Sequence, residues 1–202
     1  MKIEVDASTL KAVALAASTE TPRYYLNGVY VSLSASGVRL VATDGKIMLA
    51  SYDTTYRQDK AQGIIIPNAT LKAFKPSKHQ KTVELEQIKD DKWRLGDQLF
   101  TPVDGTFPDY RRVIPASTPK KLDHEGYRFA TKYLAVFEKV SKLLGMHHTI
   151  APDGGKAALV RFYNRARSNN TVFTDAILGV VMPVRTTPYQ GITKTPAWVN
   201  IP

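Results

Sequence analysis

Residues 2–5, Lys2-Ile3-Glu4-Val5, alternate charged and apolar side chains, the period-two signature of a half-buried strand. The period then changes. Over residues 9–18, Leu10, Val13, Ala14 and Ala17 recur at helical spacing, Asp6 or Ser8 is placed to cap the first turn, and Thr19-Glu20-Thr21-Pro22 stops the helix. Three extended runs follow at 26–33, 38–42 and 46–52. Ser34-Ala35-Ser36-Gly37 and Thr43-Asp44-Gly45 separate them with turn chemistry. After a polar stretch to Gln62 the order repeats: a strand at 63–66, a short helix capped by Asn68 and closed by Pro76, and strands at 82–88, 92–95 and 98–102. Pro108, Pro115 and Pro119, with Ala116-Ser117-Thr118 among them, read as a linker. A third round comprises a strand at 127–130, a helix at 132–144 ended by Gly145, and strands at 149–150, 157–163 and 171–184. Pro152-Asp153-Gly154-Gly155 marks a hairpin inside it. Residues 187–202 read as a polar tail that carries Trp198.

Strand, helix and three strands, repeated, is an internal structural repeat. One helix per unit covers one face of an antiparallel sheet, which makes an α+β architecture. Composition agrees. The chain has 202 residues, 43% apolar and 23% charged, enough apolar surface for a core and against wholesale disorder. The longest apolar run, around residues 176–184, is far short of the ~20 residues of a membrane span. The N-terminal residues carry no apolar signal core, so a cytoplasmic location without membrane contact is expected. The absence of cysteine excludes disulfides, thiolate metal sites and a Cys nucleophile.

Charge changes the picture more. Lys and Arg number 28 against 18 Asp and Glu, a formal excess of +10. This points to polyanions, nucleic acid before membrane, unless the basic surface only serves solubility. In the third helix Lys132, Lys139 and Lys142 fall on one stripe, opposite Tyr133, Phe137, Val140 and Leu144. Lys72 and Lys75 lie one turn apart on the second helix, and Lys11 on the first. Such stripes suit sequence-independent phosphate binding; the plain alternative is a solvated helix face. Arg23, Tyr24 and Tyr25 follow a helix-breaking Thr-Pro, where rings can stack on bases while the cation meets a phosphate. Catalytic chemistry is not legible. His147 and His148 lack clustered carboxylates, His79 and His124 stand alone, and Gly154-Gly155 lacks the Lys-Ser/Thr of a phosphate loop. A non-enzymatic chain without metal or cofactor is expected.

Four segments, in order, carry a resemblance. They are Arg23-Tyr24-Tyr25-Leu26-Asn27-Gly28, Leu40-Val41-Ala42-Thr43-Asp44-Gly45, Phe107-Pro108-Asp109-Tyr110-Arg111-Arg112-Val113-Ile114-Pro115 and Val180-Val181-Met182-Pro183-Val184-Arg185. Together the sequence resembles the bacterial DNA polymerase sliding clamp, the β subunit of the replicative polymerase. The resemblance divides the chain into a complete clamp-type domain at 1–115, like the family's middle domain, the second half of a last domain at 116–186, and the tail at 187–202. The first domain is missing, and so short a form suits a viral or mobile-element origin.

The resemblance implies a homo-oligomeric ring that holds duplex DNA against its helices as a processivity factor. It also implies a surface pocket for peptides from DNA polymerase, clamp loader and repair proteins. The matching pocket positions are Leu26, Thr43, Gly45, Lys46, Ile47 and Met48, then Pro108, Arg112 and Val113, then Val180, Met182, Pro183 and Val184. Interdomain core is the other reading of most of them. The sequence departs from the family after Gly45, where Lys46-Ile47-Met48-Leu49 replaces a basic pair and leucine. It departs again at Asn68-Ala69, where relatives often carry basic residues. A monomeric interaction protein that binds such peptides without encircling DNA is the alternative expectation, and a plain basic nucleic-acid-binding module the third.

Overall fold

The alternation at the start of the chain becomes β1 (Lys2–Asp6), with Ile3 and Val5 buried and Lys2, Glu4 and Asp6 exposed. Asp6 then caps α1 (Ala7–Ala14), its carboxylate accepting the Thr9 N–H at 2.6 Å and satisfying one free donor of the first turn. β2 (Gly28–Ser34), β3 (Gly37–Thr43) and β4 (Ile47–Asp53) complete this unit. The second unit runs β5 (Gln62–Pro67), α2 (Asn68–Ala73), β6 (Thr82–Lys89), β7 (Lys92–Leu95) and β8 (Gln98–Phe100). The third has α3 (Thr131–Leu144), β9 (His147–Asp153), β10 (Lys156–Arg165) and β11 (Thr171–Val181). The computed structural model describes residues 2–77, 79–115, 128–153, 156–165 and 171–184. Tyr127, most of the linker, Gly154-Gly155, Arg185 and the tail with Trp198 lie outside the described residues.

The first two units exchange their leading strands. β1 pairs with β6 in a four-stranded sheet of order β1-β6-β7-β8, with Asp6 opposite Thr82. β5 pairs with β2, Pro67 opposite Gly28, in a seven-stranded sheet of order β5-β2-β3-β4-β11-β10-β9. β4 and β11 are antiparallel neighbours, Ile47 opposite Val181 and Ser51 opposite Ile177, and this joint ties the third unit to the first. α1 touches both α2 and α3. Leu10 and Val13 of α1 and Phe137 and Val140 of α3 share one core with Val29, Leu49, Val160 and Phe162 from the sheet. The Phe137 ring comes so close to β11 that a Cβ on Gly179 would lie 2.7 Å from Phe137 Cε1 and 3.1 Å from Val160 Cβ.

The α+β architecture is the expected one, with local differences. α1 stops at Ala14 because the N–H groups of Leu15, Ala16 and Ala17 bond only three residues back and Ser18 donates to Leu26 O. Tyr24–Leu26 forms a 3₁₀ turn where an extended run had been expected to begin. Pro67, not Asn68, takes the cap position of α2; Asn68 Nδ2 instead donates to Ser18 O at 2.7 Å. Residues 128–130 were expected within a strand but are not part of one; the Arg128 carbonyl accepts the Val184 N–H at 2.8 Å.

Candidate peptide-binding face

The outer faces of the two sheets differ in chemistry. On the four-stranded sheet Lys2 Nζ lies 2.9 Å from Glu84, and Arg94 Nη2 lies 3.0 Å from Glu84 and 2.6 Å from Glu86. The hydrogen bond from Lys2 holds the Glu84 carboxyl below the usual range. These pairs occupy Arg94 Nη2, while Arg94 Nε is buried without a hydrogen-bond partner among the described residues. The outer face of the seven-stranded sheet is apolar: Leu26, Val41, Met48, Ala50, Ile65 and Val180 form a second cluster with Phe107. Phe107 stacks on Tyr30 with ring centroids 4.9 Å apart, and Val103, Tyr110 and Ile114 pack beside it, so the chain after β8 crosses over part of this face. Beyond that cover Val113, Met182 and Val184 remain 47%, 36% and 45% exposed. A buried apolar floor with a half-exposed, flexible methionine at its rim can seat an apolar side chain from an extended segment.

One wall is a fixed turn. Asp44 Oδ1 accepts the N–H groups of Lys46 and Ile47 at 2.7 and 2.9 Å, and Thr43 Oγ1 donates to Ile47 O at 2.6 Å while accepting from Gly45 N–H. Arg23 closes the turn from behind. Its Nη2 donates to Asp44 O at 3.1 Å and pairs with Glu20 at 2.6 Å. Gly45 has φ +84°, a left-handed conformation that favours glycine, and the Arg23 guanidinium lies against the space a Cβ would take. The Met182 N–H donates to Lys46 O at 2.8 Å, which binds the end of β11 to this turn.

The expected pocket residues thus divide. Leu26, Met48 and Val180 are buried floor, and Thr43, Gly45 and Lys46 belong to the turn. Pro108, Arg112 and Val113 are exposed, with Arg112 Nε 3.7 Å from Asp109, and Met182, Pro183 and Val184 follow β11. Ile47 points to the opposite side, into the helix-covered core, and shapes the turn without lining the face. Of the aromatic loop, Tyr24 is exposed, Tyr25 packs on the outer cluster, and Arg23 is engaged in the turn. On the helix side Lys72, Lys132, Lys139 and Lys142 are exposed and Lys11 is half-buried; Lys75, expected on the second helix, is exposed but lies beyond it, because α2 ends at Ala73 and Phe74 is extended. Lys142 pairs with Glu138 at 3.2 Å, and Lys132 Nζ lies 4.8 Å from the centre of the Tyr133 ring. A hollow of about 670 Å³ lies elsewhere, between β1, the start of β3, the end of β4, Leu143 and Leu144 at the end of α3, and Met146 after it. Among the described residues no group of three or more His, Asp or Glu is placed to hold a metal ion, and no helix is long and apolar enough to cross a membrane.

Residues 2–109 match the DNA polymerase III beta subunit, central domain. The chain belongs to that family. It is 35% identical over 144 residues to the beta sliding clamp of Caulobacter vibrioides, covering 64% of this chain and 38% of that protein. It is 29% identical over 119 residues to the beta sliding clamp of Escherichia coli K12, covering 56% and 32%. The chain therefore spans well under half the length of these relatives. The DNA polymerase III subunit beta of Pseudomonas aeruginosa shares the fold at a TM-score of 0.68 and 19% identity, over 92% of this chain and 67% of that one. The Thermotoga maritima β subunit gives 0.64 and 17% over 93% and 66%.

Sequence reasoning about this β-family chain missed Tyr30, Val41, Ala50, Ile65 and Phe107 of the outer cluster. The signal was present in the strands, because Tyr30, Val41, Met48 and Ala50 occupy alternate positions that must share one face. Phe107 was in view only as part of a motif; that its ring would cover the sheet is a tertiary fact.

Proposed function

We propose that this β-family chain captures short peptides from replication proteins on the outer face of its seven-stranded sheet, and does so without encircling DNA by itself. The observation that carries this reading is the β4–β11 joint. It sets the turn at 43–46 beside the end of β11 and the segment that follows it, next to one apolar floor, in a chain that matches 38% of the relative's length. The partner class follows from the chemistry: an extended, flexible segment with one or two large apolar anchors, of the kind polymerases and clamp loaders present to clamps. Non-specific DNA holding is a second reading, favoured by the exposed lysines of α2 and α3, which suit phosphate contact.

Fluorescence anisotropy with a labelled clamp-binding peptide from a replicative polymerase tests the first reading. Saturable binding is expected, and Met182→Ala weakens it by about 1–2 kcal/mol, a loss of roughly 5- to 30-fold. Unchanged affinity in a folded variant removes the methionine from the site. Retention on closed circular DNA that disappears on linearisation supports the ring in place of the proposed reading.

A further inference from the structure

The third unit has a precise counterpart inside the chain. In the second unit Val103, three residues after β8, donates to Ile65 O, three residues before α2. In the third unit Val184, three residues after β11, donates to Arg128 O, three residues before α3. Phe129 and Ala130 therefore correspond to Ile66 and Pro67 of β5, and β9 corresponds to β6. In the first two units both places are filled from the other unit. Pro67 and Ile66 face Gly28 and Val29, the first residues of β2; Asp6 and Val5 face Thr82 and Val83, the first residues of β6. One rule covers both exchanges: the residue just before a helix lies opposite the first residue of the strand that follows the other unit's helix. In the third unit neither place is filled by a described residue. Phe129 and Ala130 belong to no strand, and β9 is the last strand of its sheet among the described residues.

We propose that a second copy of this chain fills both places, the two third units pairing about a two-fold axis into one composite domain. Each unit offers what the other lacks, so a single isologous contact satisfies both edges at once. Residues 101–127 separate β8 from Arg128, and 101–115 hold no strand, so the chain between the units is too short for a strand–helix–three-strand mate. The pairing rule sets the register. Ala130 lies opposite His147 of the partner subunit, and Phe129 opposite His148 of the partner subunit. The side chains fit that placement. Phe129 packs against the helix-side core, as the inward-facing Val5 and Ile66 do, and in β9 the half-buried His148 and Ile150 face that core while His147 and Thr149 are exposed.

The test combines mass and cross-linking in a chain that has no cysteine of its own. Light scattering after size exclusion at micromolar concentration is expected to give the mass of two chains. The double variant Ala130→Cys with His147→Cys, mildly oxidised, then runs as a reducible covalent dimer, because cross-strand neighbours meet the Cα spacing of a disulfide. Each single variant, and the out-of-register pair Ala130→Cys with Thr149→Cys, stays uncross-linked. Circular dichroism establishes that the variants are folded. A one-chain mass overturns the proposal, as does a two-chain mass in which the in-register pair fails to cross-link. Efficient cross-linking of the out-of-register pair also overturns it.

Discussion

The second and third units carry the same order of elements and the same closing hydrogen bond, yet they are held in place differently. The second is laced into the first on both sides, β1 beside β6 and β5 beside β2. Among the described residues the third keeps one sheet contact, β4 with β11, and its helix does the rest: Phe137 and Val140 of α3 are fully buried in one core with Val160, Phe162, Ile177 and Val181. A strand–helix–three-strand unit is thus not self-sufficient. Its first strand and the strand after its helix are sites for someone else's edges, and where those edges are missing the helix must anchor the sheet.

The strongest way to break this contrast is to remove the anchor. Phe137→Ala deletes a fully buried ring and is expected to cost about 3–5 kcal/mol in urea unfolding. Amide exchange should show β9, β10 and β11 losing protection first while β6 and β7 keep theirs. Equal loss in both units would mean that the third is not the more weakly tied. A smaller perturbation goes the other way. Gly179→Ala puts a methyl 2.7 Å from Phe137 Cε1, with β11 fixed between β4 and β10, so the ring must lift. A loss of about 1–3 kcal/mol is expected from this overpacking, read as a lower urea midpoint with unchanged slope. An unchanged midpoint would show that the helix does not need so close an approach.

What the sequence disclosed follows the same division. The helical stripe of Tyr133, Phe137, Val140 and Leu144 predicted α3 to within a residue, because a 3.6-residue period and a glycine stop are local properties. The strands of the first two units were legible for the same reason. The segment before α3 has strand chemistry, but a strand exists only with a neighbour, and none of the described residues supplies one. Asn68 carried the chemistry of a cap and was used instead to tie α2 to Ser18, fifty residues earlier in the chain. Of the candidate face, the turn around Asp44 could be read from Thr-Asp-Gly. That Ile47 faces away from it while Met48 faces toward it depends on strand register, which the motif alone did not settle.

The gentlest probe of the comparison is pH. At the second position of β6 the second unit buries Val83, opposite Val5 of β1; at the second position of β9 the third unit has His148. Its Nδ1 lies 2.8 Å from Ser141 Oγ, between the rings of Phe137 and Phe162. Burial pushes its pKa below the ordinary histidine value; Glu138 opposes this and His147 adds to it. The folded state therefore prefers the neutral ring, and the unfolded chain takes up the proton more readily. Stability from this site is intact above the unfolded value of about 6.5 and declines as pH falls through it toward the folded pKa. Melting temperatures of the parent chain and His148→Gln, measured at neutral pH and near pH 5, should show a slightly steeper acid-side fall for the parent, with the excess confined to the third unit by amide exchange. Parallel slopes would place the acid sensitivity of the fold elsewhere, and would leave the valine-for-histidine difference between the two units without a consequence for stability.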